Sequence, residues 1–242
     1  MIVYGRNPVR EALRGPRTVA RVWATKNAAR EPWLEAVGPR VVAADEIEAR
    51  SGSSAHQGVC AEVSEYRYAS ADELLAAPEP FLVALDQVQD PQNLGSIART
   101  VECAGATGLI IPERRAADVT AAVCKASAGA VEHLPIARVR NLADFLVEAK
   151  KASCWCYGAD AAGGTGYTDV DYGGGVVLVL GSEGQGLRPR VAAACDALVS
   201  LPLKGRIESL GVAAAAAVLA YEVERGRAPA TAPCGRNKSA GA

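Results

Sequence analysis

The chain reads as an α/β protein: a parallel sheet flanked by helices, preceded by a small α/β domain. Three observations predict this. The runs "FLVALD", "GLIIP", "LPIARV", "CWCYGAD", "VVLVLG" and "ALVSLPL" alternate with helical patterns, and their continuous apolarity marks strands buried on both faces. Half of the 242 residues are apolar, enough for more than one ordinary core. In "SADELLAAPEPF", Pro78 and Pro80 interrupt a short helical pattern and mark a boundary between two series of elements.

In order, residues 1–70 predict a small three-layer domain. Its elements are a helix in "NPVREALRG" ending at Gly15, a strand in "TVARVWAT", a helix in "EPWLEAVG", a strand in "RVVAA", a helix in "DEIEARSG" and a strand in "GVCAEV". Residues 71–80 form the linker. Residues 81–226 hold the second domain, which closes on a helix from about Leu210 to Arg225. Residues 227–242 are rich in Pro, Gly and Ala without periodicity and predict a disordered tail.

The formal net charge of −1 advertises no global attraction to nucleic acid, but it is unevenly spread. Residues 1–40 hold eight Arg or Lys against three acids, a local +5; residues 41–80 hold two against eight, a local −6. Seven cysteines form no CxxC pair, and only His56 and His133 could complete a metal site, so no metal is expected. With no leader pattern in "MIVYGRNPVR", the cysteines read as buried thiols in a reducing cytoplasm. The runs "VVLVL" and "VAAAAAVLA" fall short of the ~20 apolar residues a membrane span needs.

Ligands of open parallel sheets sit beyond the carboxyl ends of the strands, which directs attention to three loops. In "QVQDPQNLG", Asn93 can cap the helix whose apolar stripe is Ile97, Val101 and Ala104. Arg99, ~200° around that helix from Ile97, points away from its own core. Either residue could be ordinary: a cap, and a solvated arginine. In "GSEGQGLRPRV", Gly181, Gly184 and Gly186 surround Glu183 and let backbone approach a ligand closely, although a plain strand-to-helix turn would use glycines too. Arg188-Pro189 looks like a helix start. The third loop, "LPLKGRIESLGV", enters a helix of small residues suited to close packing, which good helix propensity alone would also explain.

Together, in this order, the loops resemble the three motifs of the SpoU (TrmH-like) class of SPOUT methyltransferases: "DPQNLGSIARTVECAG", "LVLGSEGQGL" and "LPLKGRIESLGVAAAAAVLAYE". The leading segments "YGRNPVREAL" and "AHQGVCAEV" resemble the substrate-binding domain of RlmB-like 23S ribosomal RNA ribose methyltransferases. The resemblance implies a trefoil-knotted parallel-sheet domain, S-adenosylmethionine as cofactor, a homodimer, and methylation of a ribose 2′-hydroxyl of ribosomal RNA, at a guanosine. It assigns Asn93, Arg99, Glu183 and Ser209 to catalysis, and Leu180, Gly181, Gly184, Leu201, Leu203 and Leu210 to the cofactor. Arg6, Arg10, His56 and Gln57 become RNA-contact candidates on a domain tethered by the linker, His56 being equally readable as a capping residue.

One departure stands out: Gly211 occupies the position where the family's third motif carries asparagine. It keeps open a catalytically silent RNA-binding or ribosome-assembly protein beside the enzyme. A transfer-RNA methyltransferase of the same fold is the other alternative.

Overall fold

The computed structural model describes residues 1–207 and 209–227. The expected tail therefore lies outside the described residues apart from Arg227, which ends the last helix.

The first domain begins with a strand that the sequence reading missed, β1 (Ile2–Tyr4), too short to show a period. Then follow α1 (Arg6–Arg14), β2 (Val19–Ala24), α2 (Pro32–Glu35), β3 (Arg40–Val41), α3 (Ala44–Ser51) and β4 (Val59–Val63). The sheet runs β1-β4-β2-β3, antiparallel except at β2 and β3. Val9 and Ala12 of α1 bury against one face, with Val3, Val22 and Ala61; Ile47 of α3 buries against the other, with Trp23 and Cys60. That gives three layers.

The stretch expected to be a linker is packed. It carries α4 (Ala71–Leu75), whose Leu74 and Leu75 are buried, and Ala69 bridges Ala137. The two apolar residues of "ELL" explain why: one short turn is enough to anchor the segment to a sheet.

The second domain comprises β5 (Phe81–Asp86), α5 (Pro91–Cys103), β6 (Gly108–Pro112), α6 (Ala121–Ala126), β7 (Ile136–Val139), α7 (Leu142–Lys151) and β8 (Cys154–Ala159). It continues with β9 (Thr165–Gly166), β10 (Gly175–Gly181), α8 (Pro189–Ala194), β11 (Ala197–Ser200) and α9 (Val212–Arg227). The seven strands, ordered β7-β6-β5-β10-β8-β11-β9, pair in parallel throughout. Alternation along β5 sends Phe81, Val83 and Leu85 to the layer of α5 and α9, and Leu82 and Ala84 to the layer of α4, α7 and α8. Both faces are covered, as continuous apolar strands require.

The two domains share one core rather than hanging on a tether. Buried Val9 and Ala12 belong to the same cluster as Val123, Cys124 and Val131. At the seam, the Arg17 guanidinium holds both oxygens of the buried Glu132 carboxylate, with Nε 2.8 Å from Oε2. Glycines let the backbones close in: a Cβ on Gly129 would stand 2.7 Å from Glu11 Cβ, and one on Gly15 2.9 Å from Glu132 Cβ.

Of the described cysteines, Cys60, Cys124, Cys154 and Cys156 are buried, whereas Cys103 is exposed on α5, against the expectation of buried thiols. Cys234 lies outside the described residues. No described helix is long and apolar enough to cross a membrane.

Candidate active site

The loop after β10 is shaped by a backbone requirement. Gly184 and Gly186 hold φ of 79° and 64°, in the left-handed region, and the Gly186 N–H donates to the Ser182 carbonyl at 3.0 Å. The chain therefore doubles back so tightly that a Cβ on Gly181 would lie 2.1 Å from the Gly186 carbonyl carbon. The loop is pinned from below by Asp86, a fully buried carboxylate at the end of β5 that accepts from the N–H and the guanidinium of Arg188. Sequence reading singled out Arg188 only as a helix start, and Asp86 not at all; a lone acid closing an apolar strand was the available signal.

Between this loop and the segment leading into α9 opens a cavity of about 640 Å³. Its lining includes every expected cofactor residue: Leu180, Gly181, Gly184, Leu201, Leu203 and Leu210. Glu183 and Ser209 line it as well, with Asp160 and Gly211. Gly211 faces Glu183: a Cβ added there would sit 3.3 Å from Glu183 Oε1, with no other heavy atom of the described residues within 4 Å.

A second cavity of about 250 Å³ adjoins the first, sharing Ser182, Glu183, Gln185 and Val212, and Asn93 lines it from α5. Asn93 is not the helix cap that the sequence suggested. Asp90 is, its carboxylate accepting from the N–H groups of Gln92 and Asn93 at 3.1 and 3.2 Å, with Pro91 as the first helical residue. Freed from capping, the Asn93 amide faces the cavity that Glu183 also lines. The α5 backbone is seated against α6 at Gly95, where a Cβ would come 2.4 Å from Ala126 Cβ.

Arg99 lines neither cavity. Six residues beyond Asn93, it is separated from it by ~120° around the helix, exposed, with no ion-pair partner among the described residues. Within one chain the structure brings Asn93, Glu183 and Ser209 to joined cavities and leaves Arg99 outside.

The expected RNA contacts of the first domain are engaged in holding its shape. His56 is buried, its Nδ1 accepting from the Gly58 N–H at 2.9 Å, so the ring serves a turn. Gln57 is exposed, and its Oε1 accepts from the Arg6 N–H, satisfying the start of α1. Arg6 pairs with Glu31 at 2.6 Å and Arg10 with Glu11 at 3.3 Å.

Thiolate chemistry has no candidate near α8: burial pushes the Cys156 and Cys195 thiols up to about 12, so both stay protonated at neutral pH. Among the described residues, no group of three or more His, Cys, Asp or Glu gathers as a metal site.

Sheet and cavity define an α/β protein that seats a ligand at the carboxyl edge of parallel strands, against glycine backbone. Comparison with known proteins makes that specific. The chain belongs to the SpoU rRNA methylase family, whose pattern matches residues 80–221, while residues 2–69 match the substrate-binding domain of RNA 2′-O ribose methyltransferases. It is an RNA methyltransferase of that family.

Bacillus subtilis YacO, whose name places it among TrmH-family tRNA/rRNA methyltransferases, is 39% identical over 239 residues, 94% of this chain and 96% of YacO. Among solved structures, an AdoMet-bound rRNA methyltransferase from Sinorhizobium meliloti superposes with a TM-score of 0.77 at 30% identity. That match covers 93% of this chain and 86% of the other. The SpoU methyltransferase AviRb from Streptomyces viridochromogenes, in complex with AdoMet, gives 0.79 at 28% identity, covering 93% and 89%.

Proposed function

We propose that the chain methylates the ribose 2′-hydroxyl of a guanosine in 23S ribosomal RNA, using S-adenosylmethionine. The observation that carries this reading is the single cavity lined together by Leu180, Gly181, Gly184, Leu201, Leu203, Leu210, Glu183 and Ser209. The residues fit the cofactor. The glycine cradle would be filled by a Cβ at 181, the leucines offer an apolar bed for a base, and Asp160, Glu183 and Ser209 offer polar partners for hydroxyl and amino groups. Bound there, the cofactor supplies an electrophilic methyl group.

The work left to the protein is on the acceptor side. A ribose hydroxyl becomes a competent nucleophile only as its proton departs, so the site must orient the oxygen and stabilise the charge that grows on it. Asn93 and Glu183, on joined cavities, are suited to orient the ribose through directional hydrogen bonds. The Arg99 guanidinium carries donors and no acceptor, so it stabilises the developing oxyanion or grips the neighbouring phosphate.

Since Arg99 stands outside its own chain's cavity, it acts in a partner's, which requires a homodimer. Two features support that assembly. Val218 and Tyr221 are 42% and 51% exposed on α9, and α9 packs beside α5, the helix that carries Arg99. The trefoil knot expected from the resemblance belongs to the same reading. It is supported by the path of the chain, which leaves β10, adds β11 beyond β8 and returns as α9 to pack on α5 and β10. A likeness to an rRNA methyltransferase that covers 93% of the chain supports ribosomal over transfer RNA.

Incubation with methyl-labelled S-adenosylmethionine and unmodified 23S ribosomal RNA or transfer RNA, followed by nucleoside analysis, tests the reading. Label in 2′-O-methylguanosine from ribosomal RNA supports it, and label from transfer RNA alone overturns the target. The second reading, a silent RNA-binding protein, rests on Gly211, and binding of cofactor and RNA without any label would establish it.

A further inference from the structure

The strands of the large sheet all point one way, so the loops after β6 and β7 open on the same edge as the cavity loops after β5 and β10. Register confirms the alignment: Asp86 stands beside Gly181, and Pro112 beside Val139. The loop after β6 is fastened on both sides. Glu113 donates its N–H to Val139 at 2.9 Å, and Ala117 donates to Val88 at 3.0 Å, Val88 being a wall of the smaller cavity. A shelf of backbone thus runs from the end of β7 to the rim where Asn93 sits.

That shelf carries Arg114, Arg115 and Arg140, all exposed and none with a carboxylate within ion-pair distance among the described residues. Arg115 is held at φ 58°, a left-handed backbone that an ordinary side chain occupies only under constraint from its surroundings. The acids nearby are mostly engaged elsewhere: Asp118 with Arg138, Asp144 with Arg190, and Asp90 with the first N–H groups of α5. Glu113, exposed beside Arg114, has no ion-pair partner among the described residues. The three guanidinium groups thus concentrate positive charge on this shelf although the chain as a whole carries −1.

We propose that Arg114, Arg115 and Arg140 form a phosphate ledge that holds the backbone of the RNA as one strand enters the Asn93 and Glu183 cavity. The chemistry fits RNA better than a small anion. The three cations are spread along the ends of two adjacent strands, ~4.8 Å apart, rather than converging on one point, and each can clasp a phosphate with its planar fork. Contacts to phosphate carry no sequence information, so the ledge sets position and leaves choice of nucleotide to the cavity. Exposed Lys204 and Arg206, in the segment that follows β11 on the other side of the cavity, continue the same edge.

This proposal rests on the reading of the chain as an RNA methyltransferase, and its test separates the two. The full-length chain and an R114Q/R115Q/R140Q variant are titrated with an unmodified 23S ribosomal RNA transcript across a range of salt, with S-adenosylmethionine binding measured in parallel. The variant is expected to bind RNA at least tenfold more weakly. Its plot of log affinity against log salt should be shallower by about two, at about 0.7 per phosphate lost. Cofactor affinity and melting temperature should be unchanged, because the three side chains lie outside the cavity. A K150Q/K151Q variant, altered on α7 away from this edge, should bind as the wild type does. If the triple variant keeps the wild-type affinity and salt slope, or loses no more than K150Q/K151Q, the ledge is wrong and the RNA reading stands. If the unaltered chain binds cofactor but no RNA, both fall.

Discussion

Arg188 closes on Asp86 twice: its backbone N–H reaches one carboxylate oxygen at 2.8 Å and its Nε the other at 2.7 Å. The pair ties the end of β5, from which the Asn93 loop departs, to the end of the loop that carries Glu183. One buried carboxylate thus fixes the spacing between the two halves of the site. Replacing it by a neutral amide removes the charge-assisted bonds and leaves Arg188 without its counter-charge. D86N should lose about 2 kcal/mol, seen as a fall in melting temperature of roughly 4 to 8 °C, and weaken S-adenosylmethionine binding about tenfold by calorimetry. Unchanged cofactor affinity would show that the cavity holds its shape without the clamp.

Gly181 is the position with least room for a side chain. With Gly186 2.1 Å from where its Cβ would be, G181A must push the loop outward and distort the floor of the larger cavity. Cofactor affinity should fall at least a hundredfold, while circular dichroism stays that of a folded protein. Retained binding would place the cofactor elsewhere.

Gly211 is the reverse case. Among the described residues a Cβ there would meet only Glu183 Oε1, at 3.3 Å, the end of a side chain that can shift, so an asparagine can offer its amide to that carboxylate. G211N should raise turnover about tenfold if the missing amide limits the rate. An equal rate would mean that Glu183 is already held well enough by its own loop.

Arg99 can be placed by complementation. R99A should bind cofactor normally and turn over at least a hundredfold more slowly. Mixed with inactive G181A, it should recover activity, because a mixed dimer pairs an intact cavity with the other chain's Arg99. If mixing restores nothing, the arginine serves its own chain and must swing further than its place on α5 suggests.

Glu11 reports on the seam between the domains. Burial opposes its charge, but His133, whose Nε2 lies 3.0 Å from Oε2, together with Arg14 and Arg10, outweighs burial and holds the carboxyl below its usual 4.5. A folded-state value below the unfolded one stabilises above pH 4.5, and the gain fades as pH falls through the folded value. E11Q should therefore melt about 2 to 4 °C lower at pH 7, and the gap should narrow steadily below pH 4.5. A gap independent of pH would assign the loss to packing alone.

What could be read from the sequence follows the range of the forces involved. Long apolar strands such as "FLVALD" and "VVLVLG" declared themselves, since burial on both faces leaves no polar position to confuse the period. The glycines of the second loop were legible for a similar reason: few other residues tolerate that backbone. Long-range pairings were not. Nothing local in "LDQ" announces that Asp86 meets Arg188 a hundred residues later, and nothing in "GPR" that Arg17 will be buried against Glu132. Asn93 could be read as a cap as well as a catalytic residue because nothing local shows that Asp90, three residues earlier, takes the same N–H groups and wins with a full charge. His56 stayed open between an RNA contact and a cap because an imidazole two residues before a glycine serves a turn or a ligand equally well until its hydrogen bond to the Gly58 N–H is seen.

The seam itself has a consequence for how such a chain can be built and taken apart. With apolar side chains from both domains in one cluster, and a guanidinium and a carboxylate sealed at their border, neither half has a finished surface of its own. Separated, the larger half would expose the Glu132 carboxylate beside bare Val131 and Cys124, a face that invites aggregation. The molecule should accordingly melt in one cooperative step, and exchanging its first domain for another would succeed only if the replacement brought its own arginine to Glu132. The first domain is in this sense a foundation stone of the enzyme rather than an attachment.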